Sequence, residues 1–141
     1  MLDSAQEVLQ LQSRGDATAV EIATSAIDKI EATQESINAF THINRELVLS
    51  AAELVDQKRR NGEPLGPLAG VPVAVKDVLC THDMPTTCSS NMLRNFRPPY
   101  DATVVEKLRK ADAIIVGKTN MDEFAMGAST ETSAFGNTRN P

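Results

Sequence analysis

A chain of 141 residues with 41% hydrophobic and 4% aromatic content can build one domain with a real core, and it reads as globular rather than disordered. The formal net charge of −5 and the lack of a basic stripe beyond Lys58, Arg59 and Arg60 argue against a large phosphate-binding surface, and so against nucleic-acid contact by this chain alone. There is no apolar run of about 18 residues, and the start MLDSAQEVLQ has neither a basic nor an apolar leader region, which predicts a cytoplasmic protein without a membrane partner.

Three helices are predicted first. Ser4 and Glu7 have capping-box spacing ahead of Val8 and Leu9, and Gly15 is a stop signal. Thr18 and Glu21 repeat that spacing before Val20, Ala23, Ile27 and Ile30, which predicts an amphipathic helix over 18–34. A third pattern starts near Asn44, carries Leu47, Ala51, Leu54 and Lys58, and ends at Gly62. The period then changes. Residues 71–76 form a short β-branched run, with Pro72 pointing to an edge strand. YDATVVEKLRKADAIIVGK predicts a helix capped by Asp101 or Thr103, with Val104, Val105, Leu108 and Ala111 inward, feeding a buried strand at 113–116. Strand, helix, strand implies a parallel α/β unit, so the fold class is α/β: a helical segment over 1–62, then the start of an α/β core over 63–141. The stretch from Thr119 holds a short helical turn at best. The chain stops in a loop-like stretch, with no crossover helix after its last strand. That is expected of the front part of a longer protein or of one completed by a partner.

Most candidate sites fail on spacing. VGKTN lacks the glycine of a phosphate loop, because Asp112 stands five residues before Gly117. His42 and His82 sit near no nucleophile elbow. Cys80 and Cys88 have no zinc-type spacing with His82 and read as reduced structural thiols, so no metal is assigned. Asp122 and Glu123 follow Asn120, a predicted helix cap, where carboxylates favour a helix start through its dipole. Lys76 has two readings. It can be a strand-exit lysine reaching to water beside Asp77. It can also sit at the carboxyl end of a parallel strand, where open α/β sheets bind ligands and partial desolvation favours the neutral amine that a Ser-Lys pair needs.

The strings GPLAGVPVAVKD and TTCSSNMLRNFRPPYDATVVEKLRKADAIIVGKTNMDEFAMGASTETSAFGNTRNP resemble the amidase signature family, and the likeness runs from about Leu2 to Pro141. The branch it resembles supplies ammonia for tRNA-dependent amidation. The resemblance implies a mixed, mostly parallel sheet, incomplete in this chain. It also implies a Ser-cis-Ser-Lys triad whose lysine is Lys76, and a substrate pocket lined near Met126 and Gly127. The glycine- and serine-rich signature with both triad serines follows, in relatives, soon after the position of Asn140 and Pro141. None of Ser89, Ser90, Ser129 and Ser133 matches the nucleophile, so the chain alone is expected to be inactive. The activity implied is glutamine hydrolysis, with ammonia passed to partner subunits B and C that amidate mischarged Glu-tRNA(Gln) or Asp-tRNA(Asn). ATP and Mg would be used by the partner and no cofactor bound here. The competing readings are another small-amide hydrolase of the family and an inactive short interaction module.

Overall fold

The computed structural model describes residues 4–141, so Met1–Asp3, where the family resemblance begins, lie outside it. Helix α1 (Ala5–Arg14) starts where the Glu7 N–H donates to Ser4 Oγ (3.1 Å) and stops at Gly15, whose φ of 76° is the left-handed turn glycine makes without strain. Helix α2 (Ala19–Ile37) opens with the predicted capping box: the Glu21 N–H donates to Thr18 Oγ1 (3.1 Å) and the Thr18 N–H to Glu21 Oε2 (2.8 Å). It runs past residue 34 to the left-handed Asn38.

Helix α3 (Arg45–Arg60) starts at Asn44 as expected, but its inner face is rotated by one residue. Val48, Ala52, Val55 and Asp56 are buried, while Leu47 is 38% and Leu54 59% exposed. Periodicity gives the spacing of a stripe, not its phase; small Ala52 between two valines lets α3 approach α2 closely, which the leucines would not. Lys58 instead reaches Asp112 (2.7 Å).

The sheet has the order β1-β3-β2. Strand β2 (Pro72–Lys76) pairs parallel with β3 (Ile114–Thr119), and Pro72 lies on an edge strand among the described residues. β1 (Phe40–His42), which the sequence did not announce, pairs antiparallel with β3 on the other side, so the sheet is mixed. Helix α4 (Thr103–Lys110) joins β2 to β3 without a side-chain cap: its N-cap is Ala102. Asp101 is engaged by the His82 N–H (2.8 Å) and Arg109 Nε (2.9 Å) instead, and of the four predicted inward residues Val105 is buried whereas Val104 is exposed.

One face of the sheet carries Ile114 and Val116 against α2 and α3; the other carries Val75 and Ile115 against α4 and Met84. The ladder slips at one point. Val73 faces Ile115 but Ala74 faces Gly117, leaving Val116 as an extra residue in β3. Because side chains alternate along β2, Val73, Val75 and Asp77 share a face; the slip therefore puts Ile115 and Lys118, three residues apart, on that same face.

Candidate functional site

The carboxyl ends of β2 and β3 gather the polar residues. Lys76 closes β2 opposite Thr119 and is exposed, with no ion pair to its ammonium among the described residues. Alternation turns the Lys76 side chain away from the face that α4 covers, and it is exposed among the described residues. The buried lysine is Lys118. It lies 3.4 Å from Asp77 Oδ1, and both side chains are fully buried. Its ammonium donates to Thr86 Oγ1 (2.8 Å), Thr81 Oγ1 (3.2 Å) and the Pro85 carbonyl (3.1 Å). Burial pushes the Lys118 amine down, and the neighbouring Asp77 carboxylate pulls it back only in part.

Asp77 is saturated as well. The Thr87 N–H (3.2 Å) donates to Oδ1, and the Thr87 hydroxyl and the Ser89 N–H (3.5 Å) donate to Oδ2. Cys88 and Ser89 hold left-handed φ values of 49° and 51°, a conformation that persists only where neighbours over-determine it. Burial, with the Asp77 charge behind it, pushes the Cys88 thiol up, which suits a reduced structural cysteine.

Met126 is 73% exposed and Gly127 is exposed beside it. The segment is shaped by Asp122, which stands at the N-cap position of the short 3-10 turn Glu123–Ala125, in place of the predicted Asn120, but makes no cap hydrogen bond there. Asp122 accepts from the Thr130 N–H (2.9 Å), the Ser129 N–H (3.0 Å) and the Thr132 hydroxyl (3.0 Å), and these donors, the Thr130 N–H foremost, hold its carboxyl below the ordinary range. A methyl group on Gly127 would meet that carboxylate, at 2.6 Å from Oδ1 and 2.7 Å from Oδ2. Lys76 and the 126–127 pair are thus not in direct hydrogen-bond contact. They are joined through Asp77, Ser89 and the start of the segment: the Met121 N–H donates to Ser89 Oγ (3.2 Å) and the Phe124 N–H to the Cys88 carbonyl (3.0 Å).

Three of the four candidate serines, Ser89, Ser90 and Ser133, are committed to structure. Ser89 and Ser133 donate to Asn120 Oδ1 (3.1 and 2.7 Å) and Ser90 to Glu123. Neither histidine hydrogen-bonds a serine. His42 is on β1 and His82 pairs with Asp101 (2.9 Å). The ligand atoms of His82, Asp83 and Asp101 lie within 4.8 Å of one another, but Arg109 bridges the two carboxylates (2.8 and 2.9 Å) and takes the place of a cation. No helix among the described residues is long and apolar enough to cross a membrane.

A family model described as Amidase matches residues 21–141. This chain belongs to the amidase family. Along all 141 residues it is 63% identical to the A-subunit of the glutamyl-tRNA(Gln) amidotransferase of Rhodopirellula baltica, of which it covers 28%. It matches the crystal structure of the corresponding glutamyl-tRNA(Gln) amidotransferase A-subunit of Thermotoga maritima with a TM-score of 0.70 and 35% identity, over 86% of this chain and 24% of that one. The native peptide amidase of Stenotrophomonas maltophilia superimposes with a TM-score of 0.87 at 29% identity, over 96% of this chain and 29% of that one. The amidase chain therefore spans about 28% of the length of the curated relatives it matches.

Sequence reasoning misses Lys118. VGKT fails as a phosphate loop, yet a lysine following four consecutive apolar residues, Ala113–Val116, and a glycine is itself the signal of a buried cation needing partners.

Proposed function

We propose that residues 1–141 belong to a glutamine amidohydrolase subunit that supplies ammonia to a tRNA amidotransferase, with Lys76 as its proton carrier. The observation that carries the reading is the placement of Lys76: an uncommitted ammonium at the carboxyl end of a parallel strand, in a chain 63% identical to the A-subunit of a glutamyl-tRNA(Gln) amidotransferase.

The chemistry follows from what lysine and serine can do together. A serine hydroxyl supplied from beyond residue 141 attacks the carboxamide carbon of glutamine. Its proton passes through a bridging serine to neutral Lys76 and then to the departing nitrogen, which leaves as ammonia. Water then cleaves the acyl-enzyme to glutamate by the reverse proton route. Lys76 must be neutral to begin, so the completed site has to desolvate it. Met126 and Gly127 line the glutamine pocket. Subunits B and C complete a cytoplasmic complex, and the transfer of ammonia to mischarged Glu-tRNA(Gln) or Asp-tRNA(Asn), with ATP and Mg, belongs to those partners, in keeping with the acidic charge here.

The test is Lys76→Arg in the complete subunit. Arginine keeps the charge but does not deprotonate at working pH, so glutamine hydrolysis should vanish while the fold persists. Near-normal turnover would make Lys76 a surface lysine and sink the proposal. The 1–141 chain alone, without the serines, should release no ammonia above a Lys76→Ala control. The likeness to a peptide amidase favours a second reading, a small-amide hydrolase; preference for a peptide carboxamide over free glutamine would select it.

A further inference from the structure

We infer that the buried pair Lys118–Asp77 is a positioning device for Lys76, locking the strand exit that aims its ammonium and tying that exit to the 121–127 segment. The inference rests on the reading of Lys76 given above.

Asp77 directly follows Lys76, and its own N–H extends the ladder by one bond to the Thr119 carbonyl (3.1 Å). The orientation of Lys76 is set by how firmly Asp77 is held. Asp77 uses both carboxylate oxygens, on Lys118 from one side and on the Thr87–Ser89 turn from the other. Lys118 uses all three ammonium protons on Thr81, Pro85 and Thr86. No group in the pair is free to rotate without leaving a buried charge unpaired.

An apolar pair of the same volume would fill the space without the desolvation cost that two buried charges carry. It could not hold the turn, whose left-handed Cys88 and Ser89 depend on donors and acceptors around them. From that turn the Met121 and Phe124 N–H groups are held in place, so a shift at Asp77 reaches the pocket segment as well as Lys76. Lys118 is fully buried and reaches no open side of the site, which makes it a positioning residue rather than a catalytic one.

The experiment uses the complete subunit in its assembled complex and measures kcat and KM for glutamine hydrolysis in Lys118→Met and in Lys118→Met/Asp77→Leu. A misplacement on the ångström scale should lower kcat about 100-fold in the single variant. The double variant replaces the pair by apolar side chains and should regain the thermal midpoint while kcat stays low. Recovery of kcat to within about threefold of the parent along with the midpoint would mean the pair only fills space, and overturns the inference. If Lys118→Met does not fold, Thr86→Val, which removes the 2.8 Å partner and keeps the ion pair, is read in its place. Its kcat should fall about tenfold, and an unchanged kcat overturns the inference. Lys76→Ala is run alongside. If it keeps hydrolysing glutamine, the reading of Lys76 fails first. If it is dead while Lys118→Met turns over normally, only the positioning role fails.

Discussion

Asp56→Ala tests how α2 and α3 are held to each other. The first N–H groups of a helix have no partner within it, and at α2 every one is met from outside the ladder. Thr18 donates to Glu21 and Glu21 to the Thr18 hydroxyl, while Ala19 and Val20 donate to Asp56 Oδ1 and Oδ2 at 2.8 and 3.0 Å. Asp56 belongs to α3 and is 5% exposed, so one carboxylate joins the two helices. Truncation leaves the Ala19 N–H buried without an acceptor, about 1–3 kcal/mol, and removes a negative charge from the helix N-terminus, about 0.5–1 kcal/mol more. Val20 is half-buried and can turn to water, so it adds little. The sum is about 2–4 kcal/mol, or a midpoint drop of ~6–12 °C at about 3 °C per kcal/mol for a chain of this size. Urea unfolding followed by far-UV circular dichroism measures it, with Asp56→Asn, which keeps one acceptor, expected in between. A loss below about 0.5 kcal/mol for the alanine variant would refute the reasoning, because it would mean that Thr18 and Glu21 alone carry the helix start.

Gly127→Ala should push the Asp122 carboxylate off the Ser129–Thr132 loop, because no backbone change is needed to put the new methyl on its oxygens. Limited proteolysis should cut the variant within 127–133 several times faster, and equal cleavage would show that the carboxylate makes room. Burial pushes the Asp112 carboxyl up, but hydrogen bonds from Lys58 (2.7 Å) and the Gly66 N–H (2.6 Å), with the Lys58 charge, outweigh it and hold the carboxyl below the ordinary range. Its contribution is then complete at neutral pH and is lost as the pH falls from the ordinary carboxylate pKa through the lowered one. Lys58→Met should flatten that part of the acid-stability profile, and a slope unchanged by the substitution would count against the pair.

Local chemistry carried most of what was legible beforehand. Ser4, Thr18, Asn44 and Gly15 mark helix ends by hydrogen bonds or backbone angles that only a few residue types make, and all four sit where their chemistry predicts. The strands expected at 71–76 and 113–116 showed because β-branched runs of that length have few other uses, though the second runs on to Thr119, past the end of its apolar run. What failed was set by tertiary contacts. The phase of α3 depends on which neighbour it meets, and β1 is three residues long with no alternation to read. Asp101 is the right residue type for a cap and was diverted to His82 and Arg109, whose approach no local pattern encodes. At the site, Lys76 was visible because it ends a strand. Lys118 was hidden because strict alternation counted from Ile115 puts it on the opposite face.

The extra residue at Val116 works as a spacer in the arithmetic of the chain. A ladder paired straight through it, with Ala74 opposite Val116 and Val75 opposite Gly117, would swing Lys118 round to the layer that holds Ile27, Val48 and Ile114, driving a cation into hydrocarbon and leaving Asp77 alone among threonines. Losing the Val116 codon would instead straighten the ladder with Lys118 still opposite Val75, and would take only a buried valine side chain from that layer. Any scheme that lines up strands by hydrophobic rhythm alone will need a gap at that one position to keep the two lysines, 76 and 118, on their proper sides.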